Sequence, residues 1–286
     1  RLFGEAEALD LVEVVSRFFR HHVEDRLAGD RLVGIVGCDV VDRIDPTDLV
    51  GDRRWMVVAA GTGRFLTQRA VPTMALLQAH WDGETALRLT APGMQELLVA
   101  VPDAKVMRCV QIWSSNAVVP DAGDAAAAWL TDFLGQPCRL VYLPEDDGIQ
   151  VDLDYARLGE RTAFSDGFPF LLIGQGSLDD LIRRVGRPLE MLRFRPNLVI
   201  SGTEPYAEDG WTRIRIGQLA FRIVKPCSRC VIPTLDPFTA ERDPDREPLN
   251  TLLTYRKGKG GVFFGQNLIA EGTGELEVGM PVEVLE

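Results

Sequence analysis

Lysine is scarce in this chain of 286 residues, and positive charge as a whole is outnumbered. Lysine supplies only four of the 31 basic residues, which face 42 acidic ones, so the net charge is −11 at pH 7. A protein that binds a nucleic-acid polymer needs a basic face to neutralise phosphates, and attachment to an anionic membrane surface needs the same. The charge balance therefore predicts no partner of either kind, although it leaves room for a local basic pocket.

Histidine and cysteine are also scarce, with three and five residues respectively. His21 and His22 are adjacent and His80 is isolated, so converging imidazoles for a zinc or iron site are not expected. The same scarcity argues against a Ser-His-Asp hydrolase, for which His80 is the one isolated candidate. The odd, scattered set of cysteines indicates a reduced, intracellular protein.

The chain also lacks a hydrophobic run long enough for a transmembrane helix, and no charged-then-apolar leader opens it. These absences predict a cytoplasmic protein. Hydrophobic residues make up 46% of the sequence, which is ordinary for a globular protein, and the length suits one large or two ordinary domains.

Three segments have the pattern of helices. Residues 5–27 carry apolar side chains at helical spacing and predict an amphipathic helix. A second helix is expected within residues 122–134, with Asp124 as its N-cap, and a third within residues 176–185, with Ser177 as its N-cap.

Most of the remaining sequence alternates short runs rich in valine and isoleucine with turn signals, which predicts β-strands. Strands and helices do not alternate regularly, so barrels or packed sheets are favoured over a doubly wound fold. An acidic, turn-rich stretch between residues 140 and 160 marks a change of pattern. We therefore expect a divergent N-terminal helix at 1–30, a β-rich domain at 31–140 and a second domain at 141–286.

The motif KPCSRC, at residues 225–230, places two thiols at C-x-x-C spacing. Such a pair can chelate a metal, form a redox disulfide or present one reactive thiolate. Structural zinc would need a second pair of soft ligands, and a thioredoxin-type site would need a helix, which the prolines of the following VIPTLDP disfavour. A single thiolate ligand, with Arg229 and Lys225 as local positive charge, is the remaining functional interpretation. The alternative is a buried, inert cysteine pair.

Arg195 and Asn197 in FRPNLVIS are two residues apart, so on a strand their side chains would share a face. Arginine is a rigid fork for phosphate or carboxylate, and asparagine can both donate to and accept from the edge of a heterocycle. The simpler interpretation is a salt bridge on an edge strand.

Three weaker motifs carry further candidates. The turn FSDGFPF contains Asp166, which either contributes to a site or caps a backbone amide. Arg53, Arg54 and Arg69, in GDRRWM and FLTQR, form either a basic patch or a solvated hairpin. Gly265 in FFGQNL either permits close approach to a ligand or marks a bulge.

The order of these strings carries more information than any one of them. LVGDRRWM is followed by FLTQR, FSDGFPFLLI, FRPNLVISG, YAEDGW, KPCSRCVIPTLDP, PLNTLLTYR and FGQNL, and then by G-x-L-x-V-G-x-P-V. This series resembles the MOSC-domain proteins over residues 48–286, most densely over 160–286. Within that family it is most similar to the branch of the mitochondrial amidoxime-reducing components and of bacterial enzymes that reduce N-hydroxylated bases.

The resemblance implies a mixed, β-dominated (α+β) fold, with a MOSC β-barrel and peripheral helices after a smaller β-rich N-terminal domain. It also implies a molybdenum cofactor (Mo-molybdopterin) and two-electron reduction of small N-hydroxylated compounds such as hydroxylamines, amidoximes and N-hydroxylated bases. Electrons would come from a separate protein, either a flavoprotein or an iron–sulfur or haem protein. The alternative within the family is a cofactor or sulfur carrier, a maturation module of the sulfurase type.

Carried over to this chain, the family pattern implies that Cys230 is the thiolate ligand of molybdenum and the catalytic centre. A soft anionic thiolate suits a metal that is already held by sulfur. The residues implied in binding the cofactor are Ser228 and Arg229 next to that cysteine, Arg195 and Asn197, Arg53 near the phosphate, Asp166 in the loop that brackets the pterin, and Asn267.

Two departures from the family pattern matter. The family places a Lys-Ser pair that contacts the pterin phosphate some way before the GDRRW string, but residues 32–37 read LVGIVG. This difference leaves Arg53 and Arg195 to hold more of the phosphate. Some bacterial relatives also carry a C-terminal iron–sulfur domain, to which nothing in this chain corresponds, so a separate electron donor is expected.

Overall fold

The computed structural model describes residues 41–44, 50–112 and 115–286, together with the backbone of Val14–Val15 and Gly34–Ile35. Within these residues the chain forms twenty β-strands, three α-helices and four short 3₁₀ helices. Strands dominate, and the largest sheet is barrel-like with helices at its periphery. The expected mixed, β-dominated α+β fold is therefore confirmed.

The front of the chain contains ten strands and one helix. The strands are β1 (Val14–Val15), β2 (Gly34–Ile35), β3 (Val41–Ile44), β4 (Trp55–Ala59), β5 (Gln78–Trp81), β6 (Ala86–Thr90), β7 (Leu97–Ala100), β8 (Met107–Ile112), β9 (Ser115–Pro120) and β10 (Cys138–Tyr142). The helix α1 spans Asp124–Leu134. β4 pairs antiparallel with β1 and β10, while β5–β6–β7 and β8–β9 form antiparallel sheets of their own.

The core of this front half is built around β4. Its sequence, WMVVA, is apolar at every position, so the strand can be buried on both faces. The ring of Trp55 packs on Tyr142 with centroids 4.7 Å apart and on Trp81 at 6.3 Å. Leu130 of α1 is fully buried in the same cluster, so the helix covers this sheet.

The predicted helix within residues 122–134 is present, but its cap differs from the expectation. Gly123 occupies the N-cap position and Asp124 is the first helical residue, so the assignment of Asp124 as N-cap is wrong. The Asp124 carboxylate instead accepts a hydrogen bond from Arg139 at 2.8 Å. The helix ends at Gly135, whose left-handed φ of 69° a residue with a side chain adopts only at a cost.

The back of the chain contains the other ten strands and two helices. The strands are β11 (Ile149–Gln150), β12 (Arg161–Thr162), β13 (Phe170–Gly174), β14 (Leu198–Ile200), β15 (Arg213–Ile216), β16 (Leu219–Ser228), β17 (Lys257–Gly258), β18 (Gly261–Ala270), β19 (Gly274–Glu277) and β20 (Val282–Val284). The helices are α2 (Gln175–Val185) and α3 (Leu249–Tyr255). Eight strands form one sheet in the order β2–β14–β13–β18–β16–β15–β20, with β17 beside β18. Only β13 and β14 are parallel in this described sheet.

The longest strands of the sheet, β16 and β18, pair with each other and lead to the cysteine motif. Their register shifts between Ile223 and Lys225 and again between Pro226 and Ser228. Such irregularities bend a strand and turn its side chains to new directions. The end of β16, where the motif lies, is therefore the least regular part of the sheet's centre.

The helices of the back half depart from expectation in two ways. Ser177 lies inside α2 and Gly174 occupies the N-cap position, so the assignment of Ser177 as N-cap is wrong. Glu208, far along the chain, accepts the Gly174 N–H at 3.1 Å and the Ser177 hydroxyl at 2.7 Å, and so supplies the cap instead. The helix α3 was not predicted from the sequence. None of the described helices is both long and apolar enough to cross a membrane.

The N-terminal helix predicted at residues 5–27 lies almost wholly outside the described residues. Val14–Val15 form β1 against β4, so the helix prediction is wrong at these two positions. β2 and β3 pair with β14 and β19 of the back half, so short early segments complete sheets that are otherwise built from the end of the chain. The domain limits at 1–30, 31–140 and 141–286 remain predictions.

Candidate functional site

The cysteine motif lies where β16 ends and the chain leaves the sheet. Cys227 is still in the strand, whereas Cys230 follows it and precedes the single 3₁₀ turn Ile232–Thr234. The backbone N–H of Ile232 donates to Cys230 Sγ at 3.3 Å, which holds the sulfur in place. The two cysteines are free thiols and a short 3₁₀ turn, not an α-helix, comes directly after them, so the structure does not support a thioredoxin-type site.

The two thiols have different surroundings. Cys227 is half-buried against the apolar cluster of the back half, which contains Phe264. Burial raises the pKa of the Cys227 thiol, although the positive charge of Arg229 opposes the shift. Cys227 therefore stays protonated at neutral pH and serves as a packing residue. Cys230 has the same intermediate exposure as Cys227 but lies in the loop beyond the strand end.

Arg229, between the two cysteines, is partly buried, and one of its donor atoms has no partner. Its Nε donates to the carbonyl of Phe264 at 2.7 Å, and its Nη1 donates to the carbonyl of Phe194 at 3.1 Å. The guanidinium also lies 5.4 Å from the centroid of the Phe194 ring. Nη2 is buried and has no hydrogen-bond partner among the described residues. Because an unpaired buried donor is costly, this atom marks a place where a ligand's acceptor fits.

Gly265 packs against this arginine and lies where the register of β16 and β18 shifts between Pro226 and Ser228, which supports the bulge alternative. A Cβ at this position would lie 2.7 Å from both the Leu172 carbonyl oxygen and Ile173 Cγ1, and 3.3 Å from Nη2 of Arg229. The backbone φ is +82°, in the left-handed region that favours glycine. The close approach at Gly265 is therefore to the neighbouring strand and to Arg229.

Arg53 and Asn197 meet although 144 residues separate them in the chain. Nη2 of Arg53 donates to Asn197 Oδ1 at 3.4 Å and to the carbonyl of Arg195 at 3.3 Å. Asn197 is buried, and its Oδ1 also accepts the Leu171 N–H at 2.9 Å. The structure thus brings three of the expected cofactor-binding residues into one contact group.

Arg195 reaches this group by a route that differs from the expectation. β14 begins at Leu198, so Arg195 and Asn197 both precede the strand and the argument from a shared strand face is wrong. Arg195 ends the 3₁₀ turn Met191–Phe194 with a left-handed φ of 53°. This backbone reversal turns its carbonyl towards Arg53.

Asp166 is the acidic residue of the site. Burial raises the pKa of its carboxyl group to about 6, although the positive charges of Arg69, Arg53, Arg229 and Lys225 all oppose the shift. Among the described residues its carboxylate accepts no backbone N–H, so the interpretation of Asp166 as a turn cap is wrong. One carboxyl group surrounded by four cations can hold or release a proton near neutral pH.

Ser228 and Asn267 lie on the two central strands beside the motif. Ser228 is exposed at the end of β16, opposite Phe263. Asn267 is half-buried on β18, in register with Lys225 on one side and Leu171 on the other. Ser228 is part of the cysteine motif, and Asn267 lies opposite the first residue of that motif.

The proposed basic patch is only partly formed. Arg69 lies within the electrostatic reach of Asp166, as Arg53 does. Arg54 is completely buried, and its Nη1 donates to the carbonyls of Pro144 at 3.1 Å and Asp147 at 2.8 Å. Arg54 therefore holds a loop of its own half and is not part of the site.

Sequence reasoning missed Asp52. This buried carboxylate accepts a hydrogen bond from Asn197 Nδ2 at 3.0 Å and lies 3.4 Å from Nε of Arg53. The sequence did contain a signal for Asp52, which lies next to Arg53 and three residues before the wholly apolar strand β4. An acidic residue at such a place must find a partner.

The described residues contain no group of three or more histidine, cysteine, aspartate or glutamate side chains arranged to hold a metal ion. A single thiolate, such as that of Cys230, could add one sulfur ligand to a metal that is already held by other ligands.

Profile comparisons define the class of protein. Residues 39–137 match the MOSC N-terminal beta barrel domain, and residues 159–283 match the MOSC domain. The cysteine motif and most strands of the barrel-like sheet lie within the second range, whereas β2 lies before both ranges. The chain belongs to the MOSC-domain family.

Individual relatives are found in several organisms. "Mitochondrial amidoxime-reducing component 1" of Homo sapiens is 36% identical over 251 residues, which are 82% of this chain and 73% of the relative. The Xenopus laevis protein of the same name is 31% identical over 295 residues, 98% of this chain and 84% of the relative. A "Molybdenum cofactor sulfurase" of Oryza sativa subsp. japonica is 30% identical over 263 residues, 82% of this chain but 31% of that protein.

Proposed function

We propose that this protein is a molybdenum-cofactor-dependent oxidoreductase that reduces N-hydroxylated compounds by two electrons. The observation that carries the proposal is the unpaired buried donor Nη2 of Arg229, directly before Cys230 in the chain. A relative named for amidoxime reduction is similar over most of the chain, which supports the choice of substrate class.

The residues at hand fit this cofactor. Cys230 would bind molybdenum, Nη2 of Arg229 would donate to a cofactor acceptor, and the side chains of Arg53 and Arg195 would hold the phosphate. Asn197 would fix Arg53 and donate with its second N–H. The residues that would border the cofactor are Ser228, Asp166 and Asn267. When bound, the cofactor would supply the two-electron chemistry.

Asp166 has the properties of a proton-holding group in this proposal. With a pKa of about 6, its carboxyl oxygen carries a proton in mildly acidic solution and loses it as pH rises. The surrounding cations Arg69 and Lys225 balance the charge of the ionised form. Asp166 would therefore keep a proton available beside the site without being permanently protonated.

A second candidate function follows from the sulfurase relative. In that case the protein would be a cofactor or sulfur carrier of the sulfurase type, and Cys230 would carry sulfur. The chain spans 31% of that relative, so the relative's whole activity does not transfer to it. Reduction is favoured because relatives named as amidoxime-reducing components share most of their own length with this chain.

The proposal implies a small N-hydroxylated substrate and a separate electron-donor protein, either a flavoprotein or an iron–sulfur or haem protein. The net charge of −11 would repel a strongly acidic donor at long range, so a donor of that kind would need a local basic docking area. A cytoplasmic location and the absence of membrane and nucleic-acid partners remain predictions.

The test is an anaerobic assay of purified, cofactor-loaded protein with an amidoxime and a chemical reductant. The expected result is one amidine for every two electrons consumed, together with stable, stoichiometric molybdenum. The matched control is Cys230→Ser, which should lose both amidine formation and bound molybdenum. Protein that carries persulfide on Cys230 but neither molybdenum nor reductase activity would contradict the proposal and favour the carrier.

A further inference from the structure

Asp52 connects two residues of the proposed cofactor site without belonging to the expected set. Its carboxylate is buried, and one oxygen, Oδ2, serves both neighbours. That oxygen accepts a hydrogen bond from Asn197 Nδ2 at 3.0 Å and lies 3.4 Å from Nε of Arg53. Asp52 precedes β4 of the front half, whereas Asn197 precedes β14 of the back half.

The contacts close a ring of three side chains. Nη2 of Arg53 donates to Asn197 Oδ1 at 3.4 Å, and the same Oδ1 accepts the Leu171 N–H at 2.9 Å. Because Oδ1 is occupied as an acceptor, the amide can present only Nδ2 to Asp52. The carboxylate, which has no proton to donate when ionised, accepts from Nδ2 and so stabilises the same orientation of the Asn197 amide.

The contacts of this ring also determine which nitrogen of the Arg53 guanidinium remains available to a ligand. Nε faces Asp52, and Nη2 donates to Asn197 and to the carbonyl of Arg195. Within the described part of the chain, Nη1 of Arg53 has no hydrogen-bond partner. A phosphate oxygen is the acceptor that such a charged donor suits. A guanidinium held along one edge presents the other end in a single orientation, which lowers the entropy lost when the ligand binds.

We propose that Asp52 is a positioning residue that orients Arg53 and Asn197 for the cofactor, an inference that rests on the proposed function. Asp52 does not touch the cofactor itself. Its removal leaves Nδ2 of Asn197 without its acceptor and Arg53 without its counter-charge, so both side chains are held by fewer contacts. Cofactor retention therefore depends on a carboxylate outside the binding surface.

Two substitutions and one control separate this role from a general loss of stability. Asp52→Asn keeps the size and one acceptor oxygen but removes the charge and places an N–H₂ group against donors. Asp52→Ala removes the side chain. The control is Asp121→Asn, because Asp121 is also a buried carboxylate of the front half and pairs with Arg108 and Arg139, away from the site.

The experiment measures pterin and molybdenum per protein, the rate of cofactor release and the Tm of the cofactor-free protein. We expect both Asp52 variants to release the cofactor about 10-fold to 100-fold faster than wild type, the usual effect of losing a residue that orients a ligand-holding group. Asp121→Asn should lower the Tm of the cofactor-free protein while keeping the wild-type release rate. In the background of Asn197→Ala, adding Asp52→Ala should have a clearly smaller effect, because the two act as one unit.

A wild-type release rate in Asp52→Asn would overturn the inference, and so would equally fast release from Asp121→Asn. If Asp52→Ala does not fold, Asp52→Asn alone decides between these results. Wild-type protein that takes up no molybdopterin would overturn the proposed function, and this inference with it.

Discussion

Arg53 and Arg54 are neighbours in sequence but have different partners in the fold. Arg54 is completely buried and donates to the carbonyls of Pro144 and Asp147. Arg53 has a left-handed φ of 51° and crosses to the back half. The positive φ of Arg53 turns the chain, so two adjacent guanidinium groups leave it in different directions. The backbone conformation at Arg53 therefore determines which of the two arginine side chains reaches the candidate site.

Cys230 and Cys227 provide the most direct test of single-residue roles. Cys230→Ser replaces a soft thiolate with a hard hydroxyl, and we expect loss of bound molybdenum with a nearly unchanged Tm of the cofactor-free protein. Cys227→Ser changes a packed, protonated thiol and should keep most of the molybdenum. Metal analysis of the two purified variants checks this. Equal loss in both would contradict the assignment of a single ligand.

The raised pKa of the Asp166 carboxyl group predicts that the stability of the cofactor-free protein depends on pH. Its pKa is raised from 3.8 to about 6 in the folded state, so folding favours the protonated form. The charged form carries a penalty that is absent below about pH 4, grows between pH 4 and 6, and is complete above pH 6. Asp166→Asn removes the penalty and should raise the Tm at pH 7, by about 2–4 °C for each kcal/mol gained.

The measurement is thermal unfolding of wild type and Asp166→Asn from pH 3.5 to 8. The difference in Tm should shrink as pH falls through 6 and vanish near 4. Asp146→Asn, at an exposed loop carboxylate, is the control and should match wild type throughout. A constant difference across the whole range would show that Asp166 does not titrate in this window.

At the scale of elements, the close packing of β18 against β13 determines the shape of the site. Gly265 lies in β18 where the strand passes Leu172 and Ile173, and its missing side chain leaves room for the guanidinium of Arg229. β16 loses its regular register on the other side of β18 and ends at the cysteine motif. The two strands together place a rigid arginine next to a loop cysteine.

Gly265→Ala tests this packing. The added Cβ would meet the Leu172 carbonyl oxygen at 2.7 Å, and the backbone would need a left-handed φ with a side chain. Overpacking costs about 1–3 kcal/mol and the left-handed conformation about 1–2 kcal/mol, so we expect a loss of about 2–5 kcal/mol in the free energy of unfolding. Urea unfolding of the variant and of wild type measures this difference in the free energy of unfolding.

Gly135→Ala is the matched control for that substitution. Gly135 also has a left-handed φ, of +69°, but a Cβ there would have no neighbour within 4 Å. The control should therefore lose only about 1–2 kcal/mol, the cost of the backbone conformation. Equal losses at the two positions would mean that the contacts of Gly265 are not restrictive.

At the scale of the whole molecule, the site links the front and the back of the chain. Asp52 and Arg53 belong to the front, and their hydrogen-bond partners Asn197 and Arg195 belong to the back. β2 and β3 also cross from the early chain to the later sheets. A ligand held by residues of both parts stabilises the whole folded state, since it binds that state alone.

Cofactor loading should therefore raise the Tm. Substitutions of the adjacent residues Arg53 and Arg54 should change this increase in Tm differently. Arg53→Ala should lower the Tm of the loaded protein much more than that of the cofactor-free protein. Arg54→Met removes a buried guanidinium that donates to the carbonyls of Pro144 and Asp147 and should cost about 1–3 kcal/mol in both forms. Thermal unfolding of loaded and cofactor-free protein checks both results. If cofactor loading raised the Tm of Arg53→Ala as much as that of wild type, the result would contradict a phosphate-holding role for Arg53.

The sequence by itself determined the elements whose signals are local. The apolar runs around Trp55 and Phe264, the helix that ends at Gly135 and the order of motifs were enough for the fold class and the family. They were enough because side-chain periodicity and turn residues act between positions only a few residues apart. The order of motifs also drew attention to Cys230 and Arg229, which the structure places beside each other with a donor left unpaired.

Only the tertiary structure decided which partners those residues meet. Glu208 caps a helix from 31 residues beyond Ser177, and Asp52 meets Asn197 across 145 residues. The raised pKa of Asp166 likewise comes from burial in the folded protein, which outweighs the opposing positive charges of residues far apart in the chain. Hydrogen bonds and desolvation depend on distance in space, and no local pattern encodes a distance between residues that the fold alone brings together.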